Sequence, residues 1–386
     1  MLAYHAGTFT GLTWGPQASR SGVGPWVQHL SVGVSVFFVL SGFLLFRPFV
    51  RAHLRDEPSP PVGRYLVRRL VRIFPAYWLA LGVSIWLVHP NLGDWWGHVR
   101  FFGLLQIYWG DTVLGGLVQA WSLCTELSFY LFLPIWAGAL RRVGGSTDRK
   151  VRAHYLGCVA LYVLGVAFRA ELRAGHHAIG YAWLPANTDL FALGMALAVA
   201  SVASQARDRP PPALLRTLGD LPGAAWLAAI CCYGGVVALH SPFGFDPPTV
   251  LQEGTRQALF GLVAALVVAP GVFGNQDRGV VRAVLRWRPL WALGVVSYGI
   301  YLWHLTVMER ILGWFQGPLR PEGSRLPPNW WGLVGGTIVL ATLAASVSWF
   351  VLERPLLRRV RRVGAGSAGR SALGPPAPDA LESQPG

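Results

Sequence analysis

Nine stretches of this sequence are long and apolar enough to cross a lipid bilayer as helices. The hydrocarbon core of a bilayer is about 30 Å thick, so a spanning helix needs roughly 20 mostly apolar residues. Only 13% of the 386 residues are charged, against about 25% in soluble proteins, which is too few for a soluble surface. We therefore predict an all-α, polytopic membrane helix bundle. Its nine complete transmembrane helices lie at about 30–46, 73–89, 120–140, 153–170, 182–203, 222–240, 256–273, 289–308 and 330–352.

The two ends of the chain differ from these spans. Residues 1–13 are apolar but too short to span, and they lack the basic region and cleavage site of a secretory signal. They are predicted to be the end of a partial first helix. The tail 363–386 is rich in Gly, Ser, Ala and Pro, so we expect a disordered tail after a membrane domain of residues 1–362. Residues 90–119 are rich in tryptophan and predict an interfacial or re-entrant segment.

The basic residues predict how the spans are oriented. The chain carries a net charge of +15, and 25 of its 33 basic residues fall in alternate loops. Lys and Arg near span ends accumulate on the cytoplasmic side. The C-terminus is therefore expected in the cytoplasm of a multi-pass cell-membrane protein, and a complete first helix would bring the total to ten. Because the charges are divided among loops, nucleic-acid binding is not expected.

Ionisable side chains inside the spans are the first candidates for function, because a charge at mid-bilayer costs about 2.5–3.5 kcal/mol. They are His5, Glu126, Arg169, Asp189, Arg256, His304 and Glu309, with Glu353 at a helix end. The four cysteines have neither the spacing of a zinc site nor that of a disulfide framework, so no metal site is predicted. Nothing in the sequence predicts an oligomeric state.

Several of these residues belong to short sequence motifs that follow one another in a fixed order along the chain. The motifs are Tyr4-His5-Ala6, Gly33 to Phe43, Arg68 to Pro75, Trp121 to Glu126, Ser297 to His304 and Glu353-Arg354-Pro355. This series, from residue 1 to about 360, resembles the acyltransferase 3 family of membrane O-acyltransferases. The resemblance implies a ten-helix domain that takes an acyl group, such as acetyl, from cytoplasmic acyl-CoA. The acceptor implied is a hydroxyl of a carbohydrate or glycosylated molecule. Acyl-CoA would be a co-substrate, and no bound cofactor is expected.

The sequence departs from the family pattern at three positions. The family's arginine eleven residues before the first-helix histidine would fall before Met1, so the first helix is expected to begin upstream of the sequence given. Ser35 stands where an acidic residue is common, and Leu127 replaces a second glutamate.

Acyl transfer to an alcohol needs a base for the hydroxyl proton and a group that holds the donor. His5 matches the family's histidine and is the predicted base, although a histidine that is merely hydrogen-bonded within the bundle is the alternative. Glu126 is expected to support it, or to form a structural ion pair with an arginine. Arg69 and Arg72 share a helix face and are predicted to bind the phosphates of acyl-CoA. Arg68 is displaced from that face, and topology alone would also explain these arginines.

Three further residues are candidates for acceptor binding or support. His304 and Tyr301 fall on one side of a predicted helix, where aromatic packing is the alternative. Asp189 could pair with Arg169 and Glu171 or contact the acceptor. Ser41 and Gly42 are attributed to close helix packing, since no G-x-S-x-G elbow surrounds the serine. The H-x₄-D pattern of His89 and Asp94 is attributed to chance.

A second function is compatible with the same residues. In a multi-pass transporter or a non-enzymatic factor for polysaccharide or lipid export, the ionisable side chains would line a path across the membrane. Movement of a substrate without consumption of acyl-CoA would distinguish this function from acyl transfer.

Overall fold

A computed structural model describes residues 1–13, 22–90, 92–113, 115–177, 179–239, 248–315 and 329–360. All regular secondary structure in these ranges is helical, which confirms the predicted all-α class. The tail predicted to be disordered lies outside them. The helices are α1 Leu2–Phe9, α2 Gly24–Gln28, α3 Val32–Leu54, α4 Val62–Val88, α5 Trp95–Phe102, α6 Trp121–Arg141, α7 Thr147–Ala174, α8 Thr188–Ala206, α9 Ala213–Asp220, α10 Pro222–Ala238, α11 Val250–Val272, α12 Val280–Leu285, α13 Arg288–Phe315 and α14 Trp330–Ser348. A π-helical turn, Trp349–Glu353, continues α14.

Eight helices in the described part of the chain are long and apolar enough to span a bilayer. They match eight of the nine predicted spans, and α10 occupies the ninth. With 17 residues, α10 is short, and it counts as a span only together with α9, to which it is bent by 102°. Helix α1 has eight residues and corresponds to the apolar stretch that was predicted to be too short to cross the bilayer.

Polar contacts connect the loop between α3 and α4 to the ends of α6 and α7 at one end of the bundle. Lys150 donates to Asp56 over 2.6 Å and lowers the pKa of that carboxyl through this hydrogen bond and its charge. Arg141 donates to the Glu57 carbonyl over 2.7 Å. We call this the basic end. Helix α4 begins there and, at 1.5 Å per residue, extends about 40 Å to the opposite end, which we call the far end.

At the far end, the tryptophan-rich segment forms the short helix α5 instead of a span. Asp94 caps this helix, because its carboxylate accepts a hydrogen bond from the Gly97 amide over 2.9 Å. Trp95 and Trp96 are 75% and 62% exposed, as expected for a segment at a membrane interface. The cap gives Asp94 a structural role that is independent of His89.

Helices α3 and α8 cross so closely that each presents a glycine to the backbone of the other. A Cβ atom at Gly42 would overlap the carbonyl oxygen of Phe191, and one at Gly194 would overlap that of Val39. Small residues permit such approaches between membrane helices. The expected packing role of Gly42 is therefore seen, and the crossing holds α3 in a fixed position.

Replacement of Gly194 by Ala should destabilise the fold. The added methyl group meets backbone that cannot move aside, and overpacking typically costs about 1–3 kcal/mol. The matched control is Gly138→Ala in α6, where no atom lies within 4 Å of the added carbon. Thermal unfolding in detergent should give a lower midpoint for Gly194→Ala than for Gly138→Ala, and equal midpoints would contradict the proposed crossing.

Candidate active site

A cavity of about 390 Å³ lies among α3, α4, α6 and α13. Its volume falls within the range of roughly 300–1,000 Å³ that is usual for small-molecule sites. Polar and charged side chains line one wall, and apolar side chains of α3 line much of the rest. The polar lining residues are Ser41, Arg69, Arg72, Ser122, Glu126, Tyr130, Ser297, Tyr298 and Tyr301. We call this space the central cavity.

Two arginines of α4 enter the central cavity from the basic end. Arg69 and Arg72 are three residues apart, so they share one face of the helix, as predicted. The Arg69 guanidinium lies 5.9 Å from the centroid of the Tyr130 ring. In the described part of the chain, neither arginine forms an ion pair with a carboxylate, and the buried Nε of Arg69 has no hydrogen-bond partner. Both guanidinium groups therefore line the cavity with N–H donors that no carboxylate of the described residues occupies.

Arg68 lies in a neighbouring groove and not in the central cavity. This groove has a volume of about 170 Å³ and is lined by Arg64, Arg68, Tyr65 and the prolines of the loop before α4. Leu44, Leu45 and Arg69 line both spaces, so the groove adjoins the central cavity at the basic end. The sequence placed Arg68 off the helix face that Arg69 and Arg72 share, and its position outside the central cavity is consistent with that placement.

The Glu126 carboxylate occupies the middle of the cavity wall and is only 4% exposed. Ser41 donates a hydrogen bond to it over 2.8 Å, and Tyr130, one helical turn further along α6, lines the same wall. Arg72 and Arg69 attract the carboxylate electrostatically without reaching ion-pair distance. The sequence suggested an arginine or a histidine as the partner of Glu126, whereas its hydrogen-bond partner in the described residues is the Ser41 hydroxyl.

His5 and His304 lie against each other beyond the central cavity. Their ring centroids are 5.2 Å apart. His304 Nδ1 is 2.7 Å from the Tyr301 carbonyl oxygen, which can only accept, so Nδ1 carries the hydrogen. In the neutral ring, Nε2 is then left with a free lone pair. The Nε2 atoms of both histidines are buried and have no hydrogen-bond partner among the described residues, so each could bind a further polar group.

Tyr301 connects the histidine pair to the cavity wall. Its ring centroid is 5.7 Å from that of His304, and its hydroxyl lies 2.7 Å from the Ser122 hydroxyl. Ser122 precedes Glu126 by one turn of α6. From the basic end outwards, the order is therefore the two arginines, Glu126 with Ser41, Ser122 with Tyr301, and then the histidines.

Asp189 belongs to a different polar cluster, near the far end. It accepts a hydrogen bond from Gln257 over 2.9 Å, and it does not line the central cavity. Arg169 does not pair with Glu171 or Asp189 as suggested, because its carboxylate partner is Glu253 at 3.0 Å. Glu253 also pairs with Arg256, three residues later. The Arg169–Glu253 pair is compensated within the bundle, which favours a structural role for these two residues, whereas the buried Asp189 has the neutral Gln257 amide as its side-chain partner in the described residues.

Sequence reasoning missed two functional candidates. Ser41 was assigned to packing alone, yet it donates a hydrogen bond to the buried carboxylate, and Tyr130 lines the same cavity wall. Tyr130 lies four residues after Glu126, so its place on the same helix face was available as a signal. No sequence spacing indicates the contact of Ser41, which crosses from α3 to α6.

Comparison with known proteins gives one family and several relatives. The family profile described as "Acyltransferase domain" matches residues 1–349. Exopolysaccharide production protein ExoZ of Rhizobium meliloti is 29% identical over 353 residues, which cover 89% of this chain and 95% of ExoZ. Identity is 27% with YrhL of Bacillus subtilis, over 86% of this chain and 51% of YrhL, and 22% with peptidoglycan O-acetyltransferase OatA of Listeria monocytogenes, over 86% and 52%. The chain thus spans about half the length of YrhL and OatA. No solved structure matches it.

Removal of the Ser41 hydroxyl should destabilise the protein, because Glu126 would lose a buried hydrogen bond. Hydrogen bonds to charged groups contribute about 1.5–3 kcal/mol. Ser297→Ala is the matched control, since Ser297 also lines the cavity but donates only to its own helix. Thermal unfolding should place the Ser41→Ala midpoint below that of Ser297→Ala. Restoration of the midpoint by Ser41→Thr would support loss of the hydroxyl as the cause, whereas a wild-type midpoint for Ser41→Ala would refute it.

Proposed function

Because the chain belongs to the family described as "Acyltransferase domain", we propose that it transfers an acyl group, such as acetyl, from acyl-CoA to a hydroxyl of a carbohydrate or glycosylated acceptor. One observation carries this proposal: in the described residues, one cavity has two guanidinium groups without carboxylate partners at one end, and the partly buried His5 lies against the buried His304 beyond the other. OatA is named for O-acetylation of peptidoglycan and ExoZ for exopolysaccharide production, which supports a carbohydrate acceptor.

The distribution of charge supports an orientation in which the basic end faces the cytoplasm. Lys and Arg accumulate near the span ends on the cytoplasmic side, and the segments 47–72 and 141–152, which contain the two loops of the basic end and the adjoining helix ends, carry 12 of them. The C-terminus would then be cytoplasmic, as expected from the sequence. Acyl-CoA, which is a cytoplasmic metabolite in the family interpretation, would reach Arg68 in the groove and Arg69 and Arg72 in the cavity without crossing the bilayer.

The arginines suit the donor because coenzyme A carries several phosphates, and guanidinium groups bind phosphate oxygens through two parallel hydrogen bonds. Arg69 lines both the groove and the central cavity. A coenzyme held in the groove would therefore direct its thioester arm past Arg69 towards Glu126. The apolar α3 wall, which includes Phe37, Leu40 and Leu44, would receive the acyl chain and exclude water.

The histidines suit the proton transfer. In the proposed step, the acceptor oxygen bonds to the thioester carbonyl carbon, the carbon–sulfur bond breaks, and a histidine Nε2 takes the hydroxyl proton. The proton then passes to the departing thiolate, so that coenzyme A leaves as a free thiol. His5 is the proposed base, and His304, with Nε2 free and Nδ1 fixed on a carbonyl, is the proposed support. Glu126, in the middle of the cavity wall, is proposed to act between the arginines that bind the donor and the histidines that transfer the proton.

Substitution of the cavity arginines should weaken donor binding. Arg69→Ala and Arg72→Ala should each raise the KM for acyl-CoA by about tenfold or more, because each removes a charge-assisted hydrogen bond to phosphate. Arg152→Ala is the matched control, since Arg152 is an exposed arginine near the basic end that lies outside both spaces. Thiol release from acyl-CoA in membranes measures the effect. An equal rise in KM for Arg152→Ala would show that the bulk charge of this end is responsible, and the assigned site would be wrong.

Substitution of His5 should abolish transfer without loss of donor binding. A positioned base contributes about 10²- to 10⁴-fold, so His5→Gln should lower kcat by at least about 10²-fold at an unchanged KM for acyl-CoA. His177→Gln, at an exposed histidine near the far end, serves as the control. Turnover at the wild-type rate in His5→Gln would refute His5 as the base, and a loss confined to His304→Gln would assign the role to His304. If the wild-type protein moves a substrate across proteoliposomes without release of thiol, the transport function is favoured instead.

A further inference from the structure

A second cavity, of about 350 Å³, lies at the far end of the bundle and takes no part in donor binding. It is enclosed by α5 and by the turn that contains Asp111 and Thr112. We call it the far-end cavity. Its lining combines polar and aromatic groups: Asp94, Trp96, Arg100, Phe101, Asp111 and Thr112. Its volume is sufficient for a ligand of a few tens of atoms.

The Arg100 side chain is held in place in this cavity. Its Nη1 donates to both carboxylate oxygens of Asp111, at 2.9 and 3.3 Å, and its guanidinium lies 4.4 Å from the centroid of the Trp109 ring. A guanidinium has five N–H donors, and the bonds to Asp111 use only one of its nitrogens. A clamped guanidinium therefore faces the cavity with its orientation already fixed, which lowers the entropy cost of binding a ligand.

The charges of the far-end cavity select a class of ligand. Asp94 and Asp111 contribute two carboxylates against the single positive charge of Arg100, so the lining is negative on balance. Such a lining disfavours phosphate and other anions, and it favours neutral molecules whose hydroxyls donate to carboxylates and accept from a guanidinium. Trp96 adds a large aromatic surface, and a pyranose ring has an apolar C–H face that can pack on such a surface.

A chain of contacts connects the far-end cavity to the central cavity. Its lining residue Phe101 accepts a hydrogen bond from the Tyr77 hydroxyl over 2.6 Å through its carbonyl. Tyr77 is buried on α4, one turn after Ile73, which lines the central cavity. The linings of the two cavities are therefore connected through Tyr77. The arginines that are proposed to bind the donor lie nearer the other end of α4.

We propose that the far-end cavity binds a neutral sugar unit of the acceptor, with its hydroxyls on Asp111, Asp94 and Arg100 and its ring face on Trp96. The inference rests on the proposed acyl transfer and assigns the far-end cavity as the place where the acceptor binds. A unit bound here would hold a glycan chain at the far end, so that a neighbouring unit could present its hydroxyl towards the histidine pair. The donor and the acceptor would then meet from opposite ends of the bundle.

The test is binding of neutral tetrasaccharides to the purified full-length chain in nanodiscs, followed by saturation-transfer NMR. Cellotetraose, chitotetraose, maltotetraose and xylotetraose serve as probes, and inorganic phosphate serves as the anionic competitor. At least one tetrasaccharide should bind, and Asp111→Asn and Trp96→Ala should each weaken its binding by about tenfold. Phosphate should not compete. Trp95→Ala is the matched control, because Trp95 lies next to Trp96 and is also exposed but does not line the cavity. Asp277→Asn removes a comparable exposed pair with Arg286 elsewhere.

Each other outcome overturns the proposal. These outcomes are the absence of binding by all four probes, equal losses in Trp95→Ala and Trp96→Ala, and competition by phosphate. Thermal midpoints and thiol release from acyl-CoA, measured on the same samples, separate this inference from the function on which it rests. Wild-type protein that binds a tetrasaccharide but never releases thiol would refute acyl transfer and leave the sugar site intact. Thiol release together with loss of the sugar-binding differences would refute the site alone.

Discussion

The buried carboxylate of Glu126 is the constraint on which the rest of the site depends. A carboxylate inside a membrane bundle is costly unless hydrogen bonds and nearby positive charge compensate for lost hydration. Ser41 from α3 supplies a hydrogen bond to this carboxylate of α6, and Arg69 and Arg72 from α4 supply the positive charge. Three helices are thereby tied to one point, and the central cavity lies between them. The crossing of α3 and α8 at two glycines then fixes the position from which Ser41 reaches the carboxylate.

Two kinds of charged cluster can be separated in this bundle. Near the far end, Arg169 and Arg256 share the Glu253 carboxylate, so their charges are already paired. At the basic end of the cavity, Arg69 and Arg72 have no carboxylate within ion-pair distance in the described residues, although Glu126 is close enough to attract them. A structural ion pair satisfies itself, whereas guanidinium groups that are left without an anion are suited to one that arrives with a ligand.

The sequence predicted those features that depend on neighbours along the chain. Runs of apolar residues placed eight of the long helices, and the spacing of Arg69 and Arg72 placed both side chains on one wall. Two features depend on contacts between distant segments and could not be predicted in this way. Ser41 and Glu126 are 85 residues apart in the sequence, and Arg169 and Glu253 are 84 residues apart. Hydropathy also placed a span at 222–240, where α10 lies, but it records apolar length and could not show the 102° bend between α9 and α10.

In the proposed reaction, the donor lies on one side of the membrane and the acceptor on the other, and the order of groups along the bundle would bring them together. Arg69 and Arg72 stand at one end of the central cavity, Glu126 with Ser41 in its middle, and the Tyr301–His304–His5 group beyond it. Ser122 and Glu126 are about one helical turn apart on α6, and Tyr301 and His304 are about one turn apart on α13. In the proposed reaction, the pantetheine arm of coenzyme A would carry the acyl group along this wall, while the ionic part of the donor stays at the arginines. The bundle would then move no charge across the bilayer, and it would only have to keep one narrow path open between the arginines and the histidines.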